Sequence, residues 1–89
     1  MRAENRDEVP TMLVQHTGKR PVCVIPIRSD DAHVVLERKL KAASLDAYVS
    51  PRDALGRMEV HVVVSEVNET TAEHIYRVLA QQNCTVIQN

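Results

Sequence analysis

An α+β fold is expected of this 89-residue chain from three observations. Its apolar residues alternate with period two in some segments and follow helical spacing in others. These segments succeed one another as strand, helix, strand, strand, helix, strand. The second half then repeats the pattern of the first. One short chain makes one domain. Residues 21–89 are expected to form it, with residues 1–20 as a charged tail and an added edge strand.

The tail starts with the charged residues 1–8, which are expected to fray. Residues 9–16 are apolar enough to pack as an edge strand, and Gly18 to Pro21 form a turn. Val22 to Ile27 read as the first strand of the domain. Pro26 lacks a donor and is expected at the strand end or at a bulge. Ser29 or Asp30 caps the first helix, whose stripe is Ala32, Val35, Leu36, Leu40 and Ala43. The second strand spans Leu45 to Ser50, and Gly56 suits a positive φ in the loop from Pro51 to Arg57. The third strand, Met58 to Ser65, has Met58, Val60, Val62 and Val64 on one face and Glu59, His61, Val63 and Ser65 on the other. Thr70 and Glu73 match a capping box for the second helix, with a stripe of Ala72, Ile75, Tyr76 and Leu79. Asn83 suits a left-handed helix end, and Cys84 to Ile87 form a short last strand.

The repeat aligns Val22 and Val24 with Val60 and Val62, an offset of 38 residues. It aligns Leu36 and Leu40 with Ile75 and Leu79, an offset of 39, which implies one inserted residue. A doubled βαβ pattern is the signature of the ferredoxin-like, split βαβ arrangement (βαββαβ). That is a four-stranded antiparallel sheet in the order 4-1-3-2, with two helices on one face. On this alignment the helices cover Val22 and Val24. The open face then carries Cys23, Ile25, Ile27, Tyr48, Glu59, His61, Val63 and Ile87, with Asp46 and Thr85 beside them. So much apolar surface on an uncovered face points to a contact site. The expected cover is a second copy or another protein, or else residues 11–15 folded back over the sheet.

The rest of the composition mainly excludes. There is no Phe or Trp and only two Tyr, so the core is aliphatic. Net charge is −1, which supplies no pull toward nucleic acid or anionic lipid. The open-face positions of strands one and three lack the aromatics on which this fold stacks RNA bases. No apolar stretch is long enough to span a membrane, and the charged start does not read as a signal peptide. Two cysteines in a leaderless chain read as reduced thiols of a cytoplasmic protein. They are placed on opposite faces, so two free thiols are expected.

No cofactor or metal site is expected: there is no Gly-rich phosphate loop, Cys-x-x-Cys or His-Glu-x-x-His, and the four His are scattered. Cys23 and His61, aligned by the repeat, offer the one candidate thiolate pair. A small apolar Cys beside a partly exposed His is the preferred reading. Arg28, ahead of Asp30 and Asp31, reads as part of a capped helix start with a local ion pair rather than as an anion site.

The stretch from Ser29 through Leu36 and Leu40 to Leu45-Asp46-Ala47-Tyr48-Val49 resembles two families in rhythm. One is the sporulation-related repeat, which binds peptidoglycan. The other is the small bacterial "putative signal transducing" domain with a PII-like fold. Both place an Ala-containing helix before a short x-Ala-x-Val strand. The second half resembles an ACT regulatory domain. These likenesses imply a βαββαβ fold and a binding or sensing role, and they carry no site residue over. The expected function is a non-catalytic interaction or regulatory module, a homodimer or the partner of another protein. A phage or mobile-element inhibitor of a larger complex is one version of it. A small-ligand sensor of ACT or PII type is the alternative, and a Cys-dependent enzyme comes third.

Overall fold

The computed structural model describes residues 12–18 and 20–88, so the expectations for residues 1–11 and Lys19 lie outside it. The elements in chain order are β1 (Leu13–Thr17), β2 (Arg20–Arg28), α1 (His33–Ala42), β3 (Ala47–Val49), β4 (Met58–Val63), α2 (Glu69–Gln81) and β5 (Thr85–Val86). The strands form one antiparallel sheet in the order β1-β2-β4-β3, and β5 also pairs with β2. The domain is thus an α+β sandwich with an N-terminal strand added at one edge. Leu13–Thr17 lie beside β2 in the sheet, hydrogen-bonded along it, rather than across its face.

β1 and β5 share one edge of β2. β1 pairs as far as Val24, and β5 takes over at Ile27. Pro26 sits at this handover, inside the strand and in unbroken register with Glu59, at neither the strand end nor the bulge expected. In a strand a residue's N and C=O point to the same side. The Pro26 carbonyl accepts from the Ile87 amide at 2.9 Å. Its missing donor therefore points to the edge where β1 has stopped and β5 has begun, and the ladder with β4 loses nothing.

The faces of β2 are the reverse of the sequence expectation. Cross-strand partners share a face. Cys23 lies opposite Val62, Ile25 opposite Val60 and Ile27 opposite Met58. All six side chains are fully buried with Leu36, Leu40, Ile75 and Leu79 in the core. Cys23, Ile25 and Ile27 therefore belong to the helix-covered face, and Val22 and Val24 to the other. The error lies in the inserted residue. Ser44 and Asn83 both have positive φ, 73° and 61°. Each ends its helix with the same bond, Leu45 N to Leu40 O at 3.1 Å and Cys84 N to Leu79 O at 3.0 Å. They are 39 residues apart, as are Leu36 and Ile75. A uniform offset of 39 aligns Cys23 with Val62 and gives the observed faces.

Ser44 carries a side chain in the left-handed region, which costs an L-residue about 1–2 kcal/mol. It is exposed, so no packing is lost on removing it. Ser44→Gly is expected to raise stability by about 0.5–1 kcal/mol, the gain being reduced by the greater freedom of glycine in the unfolded chain. Urea denaturation would measure it.

Both helix starts differ from expectation. The capping position of α1 is Ala32, whose side chain cannot cap, and the Ser29 hydroxyl accepts from the Asp31 amide at 3.2 Å instead. The start is braced by Arg52, which donates to the carbonyls of Ser29 (2.7 Å) and Asp31 (2.8 Å). α1 buries only Leu36 and Leu40, and Val34 and Val35 face outward. α2 is capped by Asn68, which accepts from the Thr71 amide at 2.8 Å, two residues ahead of the expected Thr70.

The β3 edge is closed by a side chain. The outward Val49 amide donates to Glu37 Oε1 at 2.9 Å, and Lys41 pairs with the same carboxylate at 3.3 Å. Lys41 Nζ also lies 5.0 Å from the centroid of the Tyr48 ring. A strand of three residues guarded in this way offers little to an incoming strand.

Candidate functional site

The face away from the helices is built from two rows across the sheet. Leu13, Val24, His61 and Tyr48 lie opposite one another in turn across four strands. Gln15, Val22 and Val63 form the next row, which Asp46 extends because its carbonyl accepts from the Val63 amide at 2.9 Å. Beyond the first row, Glu59 faces Pro26, and Ile87 lies beside Pro26 through its hydrogen bond. The middle of the face is apolar. Val24 is only 5% exposed between its neighbours, whereas Leu13 and Tyr48 at the margins are 55% and 51% exposed. Arg20, Val22, Tyr48, His61 and Val63 line a depression of about 580 Å³.

Of the site residues named from sequence, Tyr48, Glu59, His61 and Val63 come together here, and Ile87 lies at the end of the face. Cys23, Ile25 and Ile27 do not; they are core. Sequence reasoning missed Leu13, Arg20, Val22 and Val24. The matching helix ends at Ser44 and Asn83 were the signal that would have placed the two valines.

The face combines apolar side chains with one histidine–glutamate pair. His61 Nε2 lies 3.3 Å from Glu59 Oε1, in a pair open to solvent and screened by it. Cys23 is on the other side of the sheet from His61, so the thiolate pair considered from sequence does not form. Burial raises the Cys23 thiol, and burial, reinforced by the Asp31 carboxylate, pushes the Cys84 thiol up to about 11. Both cysteines are free, as expected, although both lie on the helix side of the sheet, near opposite ends of β2. Since the thiolate is the nucleophile, native protein should alkylate slowly at neutral pH. The Cys84 rate should rise about tenfold per pH unit toward pH 11. Intact-mass kinetics with iodoacetamide would read this, and fast labelling of either thiol at pH 7 would contradict it.

Among the described residues no group of three or more His, Cys, Asp or Glu is placed to hold a metal ion. No described helix is long and apolar enough to cross a membrane. Comparison of the chain with protein-family models, curated proteins and solved structures returns no match.

Proposed function

We propose that the protein is a non-catalytic interaction module that pairs with a second copy of itself through the open sheet face. The observation that carries this reading is the apolar run across that face, from Leu13 at one margin through Val24, Val22 and Val63 to Tyr48 at the other, with no described element of the chain laid over it. Charges of both signs flank it, Arg20 and Asp46 at one end and Glu59 at the other. A self-complementary face suits a two-fold dimer, in which each patch meets its own copy. The net charge of −1 sets up little repulsion between copies. Nine residues of β2 at about 3.3 Å each, and four strands about 4.8 Å apart, give a face of about 30 by 19 Å. With side-chain relief that is of the order of the ~800 Å² per partner found in stable interfaces.

The connectivity after β1, with β5 beside β2 and β4 between β2 and β3, supports assignment to the ferredoxin-like arrangement. Two thiols held protonated suit a reducing compartment, so a cytoplasmic location is part of the proposal. The test is light scattering after size exclusion at about 100 μM, well above the dissociation constant of a stable dimer. The parent chain should run as a dimer. Val63→Asp, which would bury unpaired carboxylates in the interface, should run as a monomer with its helical circular dichroism intact. A monomeric parent would overturn the reading.

A further inference from the structure

At the end of the sheet where β2 gives way to α1, three segments converge around a second depression of about 370 Å³. Arg28 comes from the end of β2 and Asp30 from the turn after it, Arg52 and Gly56 from the β3–β4 loop, Asn83 from the α2–β5 turn and Thr85 from the start of β5. Small-molecule sites start at about this size, ~300 Å³. This one is polar and presents two guanidinium groups.

The two arginines differ in what already holds them. Arg52 uses one terminal nitrogen, Nη2, to bond the carbonyls of Ser29 and Asp31. The guanidinium is thereby fixed in place, with Nε and Nη1 left to donate. Arg28 has no ion pair among the described residues. The carboxylates that could have neutralised the pair are mostly engaged elsewhere. Asp31 is held by Lys39 at 2.9 Å. Asp53 accepts from the Leu55 and Arg57 amides at 2.8 and 2.9 Å and pairs with the Arg57 side chain at 3.4 Å. Those bonds keep its carboxyl below the ordinary range, so it remains ionised and occupied. Among the described residues Asp30 is the one acidic side chain lining the depression, against two arginines. The local ion pair expected for Arg28 from the sequence is not made.

We propose that this depression binds the oxyanion of a small molecule, a phosphate or carboxylate group, between Arg28 and Arg52. A guanidinium offers parallel donors that match two oxygens of either group. Arg52 is positioned before the ligand arrives, so little side-chain freedom is lost on binding. Arg28 swings to complete the clamp, and the Thr85 hydroxyl supplies a further donor. The remaining volume takes the organic part of the ligand. This site lies at the end of the sheet and does not depend on self-association through the open face.

The experiment is a titration of the isotope-labelled full chain with sodium phosphate and, separately, sodium acetate, at constant ionic strength held with sodium chloride. Amide signals of Gly56, Asn83 and Thr85 should shift saturably with phosphate in the millimolar range, and more weakly with the singly charged acetate. Arg28→Gln, at an exposed position that leaves the core intact, should weaken phosphate binding at least tenfold. Arg20→Gln, at the other end of β2, should leave it within twofold. Shifts reproduced by chloride alone, or phosphate binding unchanged in Arg28→Gln, would overturn the proposal. Acetate saturating more tightly than phosphate would assign the site to carboxylates instead. The oligomeric state is read separately, so either proposal can fail without the other.

Discussion

Leu40→Ala is expected to cost about 2–5 kcal/mol, the usual range for emptying a fully buried leucine site. A chain of this size has on the order of 5 kcal/mol in total. The variant should therefore be barely folded at 25 °C. α1 buries just two side chains, Leu36 and Leu40, so no neighbouring residue on the helix can take over the contact. Val35→Ala, one helix face away and exposed, should change stability by less than about 0.5 kcal/mol. Urea titrations followed by circular dichroism would compare the two. Equal midpoints would mean that α1 docks by a different stripe.

The second large effect follows from the faces of β2. Cys23→Asp places a carboxyl between Val62 and the helices, where neither the ionised nor the protonated form finds a partner. No cooperative unfolding transition should remain. Val63→Asp, on the other face of the sheet, should fold. If Cys23 lay on the open face, the two aspartates would behave alike. Cys23→Val, of similar volume and apolar, should restore the transition and show that polarity is the cause.

The same strand shows how far the sequence can be read. β4 discloses its orientation because Glu59 and His61 alternate with Met58, Val60 and Val62, and only one face can enter a core. β2 is apolar on both faces, with Val22 and Val24 set against Cys23, Ile25 and Ile27, so alternation there has no polarity to report. Its orientation follows from pairing with β4, or from the offset of 39 between Ser44 and Asn83, and not from its own alternation. The helix ends were legible at Asn83, whose type favours a left-handed residue, and hidden at Ser44, whose type does not. Thr70 and Glu73 have the spacing of a capping box, yet the chain is already helical there. Asn68 holds the extended backbone a cap requires, at φ −152° and ψ 179°. Of the open face, β4 and Tyr48 were readable from alternation. Leu13 and Val24 join it only through the register of β1 on β2. The arginine depression draws on three segments distant in sequence; Arg28 reads in the sequence as part of a capped helix start rather than as an anion site, and nothing local to it brings in Arg52.

The carboxylate of Glu37 bears on how the protein survives acid. Its hydrogen bond from Val49, aided by Lys41, keeps it ionised below the ordinary carboxylate range. The folded value lies below the unfolded one, so the stability it contributes is full at neutral pH and is lost as pH falls through the folded value. Protonation also weakens the stopper on the Val49 amide, and the outer margin of β3 becomes a template for strands of other molecules. Acidified solutions are thus expected to show a lower urea midpoint than neutral ones, with light scattering at high concentration reporting any association through this edge. Glu37→Ala should bring the neutral-pH midpoint down and flatten its dependence on acid, so that one surface carboxylate sets part of the protein's acid tolerance.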